Sequence, residues 1–258
     1  MEIGIAIAVG LGLTQLANLA TTVYLHRDLA HRAVKLHPVL RSCFKVFLWL
    51  STGINARQWA AVHRKHHAFT DTDEDPHSPA RLGWVRVQLT NAGLYRRSAR
   101  DPLTTGRYAK DIPVTWPDRI LLNRGTIGLV LGIAVLVFWL GWLGGGIAAV
   151  VHTVGYIGLG GSVNSVAHTF GRRPFDNSAT NVTWLAWLTC GEGYHNNHHA
   201  APTSARFGRR WYNFDLGWWF ISVSQFLGLA QVRHSGVDAL LDKRSTHQDA
   251  HTDMEQVV

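Results

Sequence analysis

The chain has 258 residues, enough for one sizeable domain. Only 16% of them are charged, while 15 are histidine and 11 tryptophan; an ordinary soluble domain is roughly 25% charged. The net charge of +8 is confined to polar blocks between long apolar ones, which argues against a nucleic-acid-binding module. Cys43 and Cys190 are far apart and form no CxxC pair, so neither a disulfide framework nor a thiolate zinc site is expected.

Residues 3–25 carry no charge. As a helix they reach roughly 34 Å, enough to cross a bilayer core. They lack the basic start and the cleavage site of a signal peptide. Residues 42–56 are apolar but short and contain Lys45, which predicts an interfacial helix. Residues 68–82 hold Asp71, Asp73, Glu74, Asp75, Pro76 and Pro79, which is loop chemistry. Residues 125–168 form the second apolar block. Gly144-Gly145-Gly146 predicts a tight turn there, between spans at about 125–143 and 146–167. The aromatic-rich stretch 211–230, with Asp215, is expected in the membrane interface, a fourth span being the alternative. Residues 242–258 read as a disordered tail behind a single membrane domain at 1–241.

All 25 Lys and Arg fall in two blocks, 17 in residues 26–124 and 8 in residues 169–258. The positive-inside rule puts both blocks in the cytoplasm. The expected fold is an all-α, multi-pass integral membrane protein with three transmembrane helices, or four if 211–230 also spans.

The histidines carry the chemistry. His63, His66 and His67 recur at i, i+3, i+4, and so do His195, His198 and His199. On a helix each triplet shares one face. His26 and His31 close the first span. Five residues on an α-helix turn by about 140°, so the two can converge only if the helix ends or bends between them. His168 ends the second apolar block, with Asn164 one turn before it. These nine imidazoles map to one side of the membrane. They exceed what one ion can hold, so two ions with four or five imidazoles each, plus water, are expected. His37, His234, His247 and His251 read as packing residues, as does Cys190. His152 lies alone inside the second block, and His77 is near enough to a triplet to support it. No HExxH motif is present, which argues against a zinc hydrolase. From the residues alone the chain reads as a membrane-bound dinuclear metal oxidase acting on a lipidic substrate.

Six motifs sharpen this: His26-Arg-Asp-Leu-Ala-His31, His63-Arg-Lys-His66-His67, Asp75-Pro76-His77, Asn164-Ser-Val-Ala-His168-Thr-Phe-Gly171, Arg173-Pro174-Phe175-Asp176, and Gly191-Glu-Gly-Tyr-His195-Asn-Asn-His198-His199. In this order, over roughly residues 20–205, the chain resembles the integral-membrane acyl desaturases of the stearoyl-CoA (Delta-9) type. The resemblance implies a di-iron site in a cytoplasmic helical cap, held by the nine histidines, with Asn164 near one iron through a water. His77, Asp75 and Glu192 would stand behind the ligands. It implies O2 as co-substrate, a fatty acyl substrate and a cis double bond as the outcome. Electrons would come from an external donor: a ferredoxin, a rubredoxin, or a cytochrome b5-type protein with its reductase. The acyl chain would lie in a kinked apolar tunnel, with Trp59 and Arg64 contacting substrate. The family usually has four spans, and this chain starts at what resembles the second. Ala61 and Val62 stand where CoA-using members carry polar residues, so the headgroup stays open between CoA, a carrier protein and a membrane lipid. Hydroxylation, acetylene formation and oxidative decarboxylation are the related outcomes; a non-enzymatic metal-binding membrane protein is the other class.

Overall fold

A computed structural model of the chain describes residues 2–241; the tail at 242–258 lies outside the described residues. Helix α1 (Glu2–Ala20) continues without a break into a π-helical segment, Thr21–Ala30. Strand β1 (Val34–Leu36) follows, then α2 (Pro38–Thr52), α3 (Ala56–Phe69), α4 (Pro79–Leu82), α5 (Trp84–Arg100), α6 (Pro102–Tyr108) and a second π-helical turn, Asp118–Leu122. Helix α7 (Gly125–Ser165) runs into a 3-10 turn, Val166–His168. The remainder holds α8 (Thr183–Leu188), α9 (His195–Ala200), α10 (Leu216–Phe226) and β2 (Ala230–Val232).

Two helical stretches are long and apolar enough to cross a membrane, Ile3–Ala30 and Gly125–His168. The 41 residues of α7 would make a straight rod of about 62 Å, twice a bilayer core of roughly 30 Å. The rod is broken at Gly141, whose φ of 72° and ψ of 168° are not helical. A Cβ on Gly145 would lie 2.6 Å from the backbone of Val137. Eight residues along a straight helix are about 12 Å apart, so the chain doubles back at Gly141. The turn expected at Gly144–Gly146 therefore comes three residues early. Gly141 takes the left-handed φ, and Gly145 lets the two arms touch. The outer faces of these helices carry Leu11, Val130, Phe138, Trp142 and Val154, all exposed, as lipid-facing surfaces do.

Helix α1 packs on the second arm of α7, where a Cβ on Gly10 would sit 2.7 Å from the Ala148 carbonyl oxygen. Helix α2 starts four residues before the expected 42–56 element because His37 caps it, Nδ1 accepting from the Val39 N–H at 3.3 Å, with Pro38 in its first turn. It stops at Gly53, in the left-handed conformation. Gly128 and Gly132 let its backbone lie directly against α7. Buried His152 is satisfied between the Ser51 carbonyl, 2.9 Å from Nε2, and Thr14. Helix α10 is shorter than the 211–230 stretch because Asp215 caps it, accepting from the Trp218 N–H at 2.9 Å. Its 11 residues reach about 17 Å, short of a bilayer core. Strands β1 and β2 pair antiparallel, Val34 opposite Val232 and Leu36 opposite Ala230, tying the chain's last described part to the end of the first span. Val23, Leu25, Leu48 and Ile221 form the buried core at that junction, directly beneath the histidines.

Candidate metal centre

His26 and His31 converge by a route not foreseen from the sequence. The helix neither ends nor bends between them; it widens. The His31 N–H donates to the His26 carbonyl at 3.0 Å, an i→i+5 bond. A wider turn rotates less per residue, so residues five apart come back onto one face. The two ring centroids are 4.9 Å apart. Helix α3, capped by Asn55, delivers His63, His66 and His67. Helix α9 delivers His195, His198 and His199, and the 3-10 turn delivers His168.

The nine imidazoles form two groups, and each triplet contributes to both. His26, His31, His63, His67 and His198 have ligand nitrogens all within 4.8 Å of one another; so do His66, His168, His195 and His199. The Nε2–Nε2 separations are 3.0 Å for His26–His198, 2.9 Å for His67–His198, 2.8 Å for His31–His63 and 3.1 Å for His195–His199. With metal–nitrogen bonds of about 2.0–2.1 Å, neighbouring ligand atoms around one ion are about 2.8–3.4 Å apart. The spacing is that of a coordination shell, and these residues fit one metal ion per group.

Three of these rings are held from behind by a carboxylate. His26 Nδ1 lies 2.7 Å from Glu192 Oε1, which also accepts from the Thr22 hydroxyl. His66 Nδ1 is 3.0 Å from both oxygens of Asp75. His168 Nδ1 is 3.1 Å from Asp71 Oδ2, and its buried Nε2 has no hydrogen-bond partner among the described residues. Donating Nδ1–H to a carboxylate leaves the Nε2 lone pair facing inward and makes it more basic. The motifs pointed to Asp75 and Glu192; Asp71 was passed over as loop. Its only signal in the sequence is a carboxylate four residues from each of His67 and Asp75.

Burial, reinforced by neighbouring imidazoles, holds His31, His63, His67, His195, His198 and His199 well below the ordinary histidine pKa. Their lone pairs are therefore open to a metal at neutral pH. Against the upward push of burial, the hydrogen bond and charge of His66 hold Asp75 below the usual carboxylate range, and His26 does the same for Glu192. A pH dependence follows. Below about pH 6.5 an unfolded chain takes up protons that the folded cage refuses. Metal-free protein should thus lose thermal stability steadily as pH falls from about 7 to 5. Melting curves of chelator-treated protein check this; stability that rose on acidification would contradict it.

His77, pushed down to about 3 by burial, stacks on His66 with centroids 4.7 Å apart, and neither ring nitrogen has a hydrogen-bond partner among the described residues. Trp59 lies parallel to His63 at 4.9 Å. Asn164 donates its amide N–H to Asn91 Oδ1 at 3.0 Å. The Arg64 guanidinium is taken up by the protein itself: the carbonyls of Leu29, Ala30 and Tyr108 at 2.7, 2.8 and 2.9 Å, and Asp111. It fastens the end of the π-helix to α3 and α6. Cys190 is buried and unbonded to the other cysteine, its thiol pushed up to about 12 by burial.

A buried ion pair, also unforeseen, stands behind the cage. Arg27 is fully buried and donates to Asp215 Oδ1 at 2.8 Å. Its guanidinium lies 3.9 Å over the Phe207 ring, and that ring packs against His26 and His198. Asp215 also accepts the N–H groups of Phe207 and Gly208 at 2.7 and 3.2 Å. The glycines nearby have a steric reason. A Cβ on Gly217 would overlap Arg27, and one on Gly191 would overlap Asp215. The two asparagines inside the second triplet anchor α9. Asn196 binds Phe175 and Ala179, and Asn197 binds Asn181 and Phe207.

Residues 3–244 match the family model described as fatty acid desaturase. Delta-9 desaturase-like 2 protein of Arabidopsis thaliana is 38% identical over 230 residues, covering 86% of this chain and 74% of the relative. Delta-9 acyl-lipid desaturase 2 of the same plant is 34% identical, with 83% and 70% covered. Acyl-CoA C20 Delta5-desaturase of Anemone leveillei is 33% identical, with 81% and 67% covered. A match that takes in every element bearing a cage histidine places this chain in the fatty acid desaturase family: it is an oxidoreductase of a membrane-bound family, with a metal site and a fatty acyl substrate.

Proposed function

We propose that the protein is an oxygen-dependent di-iron desaturase that introduces a cis double bond into a fatty acyl chain. The observation that carries this is the pair of inward-facing imidazole groups, five and four, within ligand distance of one another. Two iron ions, when bound there, would activate O2 so that it can oxidise an unactivated C–H bond. Two electrons come from the acyl chain and two from a separate donor: a ferredoxin, a rubredoxin, or a cytochrome b5-type protein with its reductase. Dioxygen leaves as two waters. His26, His31, His63, His67 and His198 bind one ion. His66, His168, His195 and His199 bind the other, with Asn164 reaching it through a water. Glu192 and Asp75 fix the ring orientations, and His77 stacks behind His66. Trp59, flat on His63, borders the acyl chain; Arg64 keeps its guanidinium on Asp111 and the surrounding carbonyls and is assigned no bond to substrate.

The protein is multi-pass over residues 1–241, with three spans: the first helix and the two arms of α7. The asymmetry of Lys and Arg supports a cytoplasmic site. Relatives are named for both acyl-lipid and acyl-CoA substrates, so the headgroup is read from experiment. Cells expressing the protein with a reductase system, profiled for fatty acids, should gain cis-monoenes. Hydroxy acids, acetylenes or terminal alkenes in their place would reassign the reaction. Zinc with no iron in the purified protein would overturn the reading.

A further inference from the structure

The two ion positions are backed unequally. Behind the group of five stands one carboxylate, Glu192, on His26. Behind the group of four stand two, Asp75 on His66 and Asp71 on His168. We propose that Asp71 is a positioning residue that aims His168 at the second ion, and that Asp71 and Asp75 form one clasp serving the four-imidazole position alone. This rests on the two-ion reading above.

His168 is the member of its group that most needs such help. His66 is fixed on α3, and His195 and His199 are fixed on α9. His168 sits at the end of a three-residue 3-10 turn, so its ring takes its orientation from side-chain contacts rather than from a regular helix face. Asp71 grips it by Oδ2 at 3.1 Å, while Oδ1 accepts the Ser78 hydroxyl at 2.9 Å. The carboxylate is thereby held at both oxygens. The backbone of Asp71 is held as well: its N–H donates to Asp75 Oδ2 at 2.9 Å. Asp75 is the carboxylate that faces His66, and its Oδ1 takes the His77 N–H at 3.1 Å. One five-residue loop therefore fixes two ligands that come from different parts of the fold.

The loop adopts a costly conformation to do so. Asp71 has φ of 59°, one of three non-glycine residues with positive φ among the described residues. Asp and Asn tolerate that region better than other side chains, and strain of this kind persists where surrounding contacts demand it. Here the left-handed turn points the N–H at one carboxylate and the side chain at His168. The same preference makes the test clean. Asp71→Asn keeps the backbone and shape but removes the charge; Asp71→Gly keeps the backbone and removes the side chain.

Full-length protein in detergent, stripped of metal under anaerobic conditions, is titrated with Fe(II), and the 57Fe-loaded form is read by Mössbauer spectroscopy. Wild type should take up two ions. In Asp71→Asn, and more strongly in Asp71→Gly, one ion should bind about 10–100-fold more weakly, the usual loss for an outer partner of a ligand. The other ion should keep its affinity, and only one quadrupole doublet should move. Glu192→Gln should weaken the opposite ion. Two ions bound as tightly as in wild type would overturn the clasp, as would equal weakening of both in folded protein. Fewer than two ions in wild type would instead sink the two-ion reading, and the clasp with it.

Discussion

His198→Ala should abolish turnover while the protein still inserts into the membrane. His198 is fully buried, and its Nε2 lies 3.0 Å from that of His26 and 2.9 Å from that of His67. It is the hub of the five-imidazole group. Outer partners of metal ligands typically cost 10–100-fold in affinity or activity; loss of a ligand at the hub should exceed this, on the order of 100-fold or more. Iron content per chain should fall with it, toward one ion. The variant removes a buried side chain on α9 and leaves the outward-facing apolar residues of the two candidate spans unchanged, so membrane extraction and detergent elution should match wild type. Product formation within a few-fold of wild type would refute the ligand role.

The second large effect is on stability. Asp215→Ala should destabilise the fold by about 3–5 kcal/mol, because Arg27 would be left buried without its counter-charge. Among the described residues two of its guanidinium nitrogens lack a hydrogen-bond partner, so beside the Phe207 ring the pair with Asp215 is its main compensation. The substitution also strips acceptors from the Phe207, Gly208 and Trp218 N–H groups. Folded domains have only about 5–15 kcal/mol to lose, so a large drop in detergent melting temperature is expected. Gly217→Ala should produce a comparable drop from the other side, since its methyl group has no space beside Arg27. An unchanged melting temperature for Asp215→Ala would show that the pair contributes nothing. Because Phe207 sits between this pair and the rings of His26 and His198, metal retention should weaken alongside.

How much of this could be read in advance depended on the range of the interaction. The triplets were legible because i, i+3, i+4 spacing is a property of one helix, and α3 and α9 obey it. Their division between two groups was not, since which histidine faces which partner depends on how α3 meets α9. The convergence of His26 and His31 was expected, but not the mechanism, for no residue type encodes a π-turn as glycine encodes a positive φ. Three glycines in a row at Gly144–Gly146 outweighed a single one at Gly141, yet composition does not tell which glycine takes the turn. Arg27 was visible as a charge closing an apolar span, where such residues are costly and need partners. Its partner lies 188 residues away, in a stretch whose tryptophans pointed to the interface. Asp71 was hidden by its surroundings, one acid among four in a loop, distinguished only by where the chain brings His168.

The π-helical stretch also fixes a length. Most connections in a protein can gain or lose a residue, since a surface loop absorbs the change. The segment from Thr21 to His31 must match its residue count to its helical pitch. Five residues suit the wider π-turn as four suit an α-helix; the same five at ordinary α-helical pitch would set the second ring about 140° from the first, out of reach of His63 and His67. Adding one residue to the wider turn would likewise carry the ring off the shared face. Among the stretches of this chain that carry the clustered histidines, this one is a ruler as well as a support, and its residue count is as much a part of the candidate metal centre as the imidazoles it spaces.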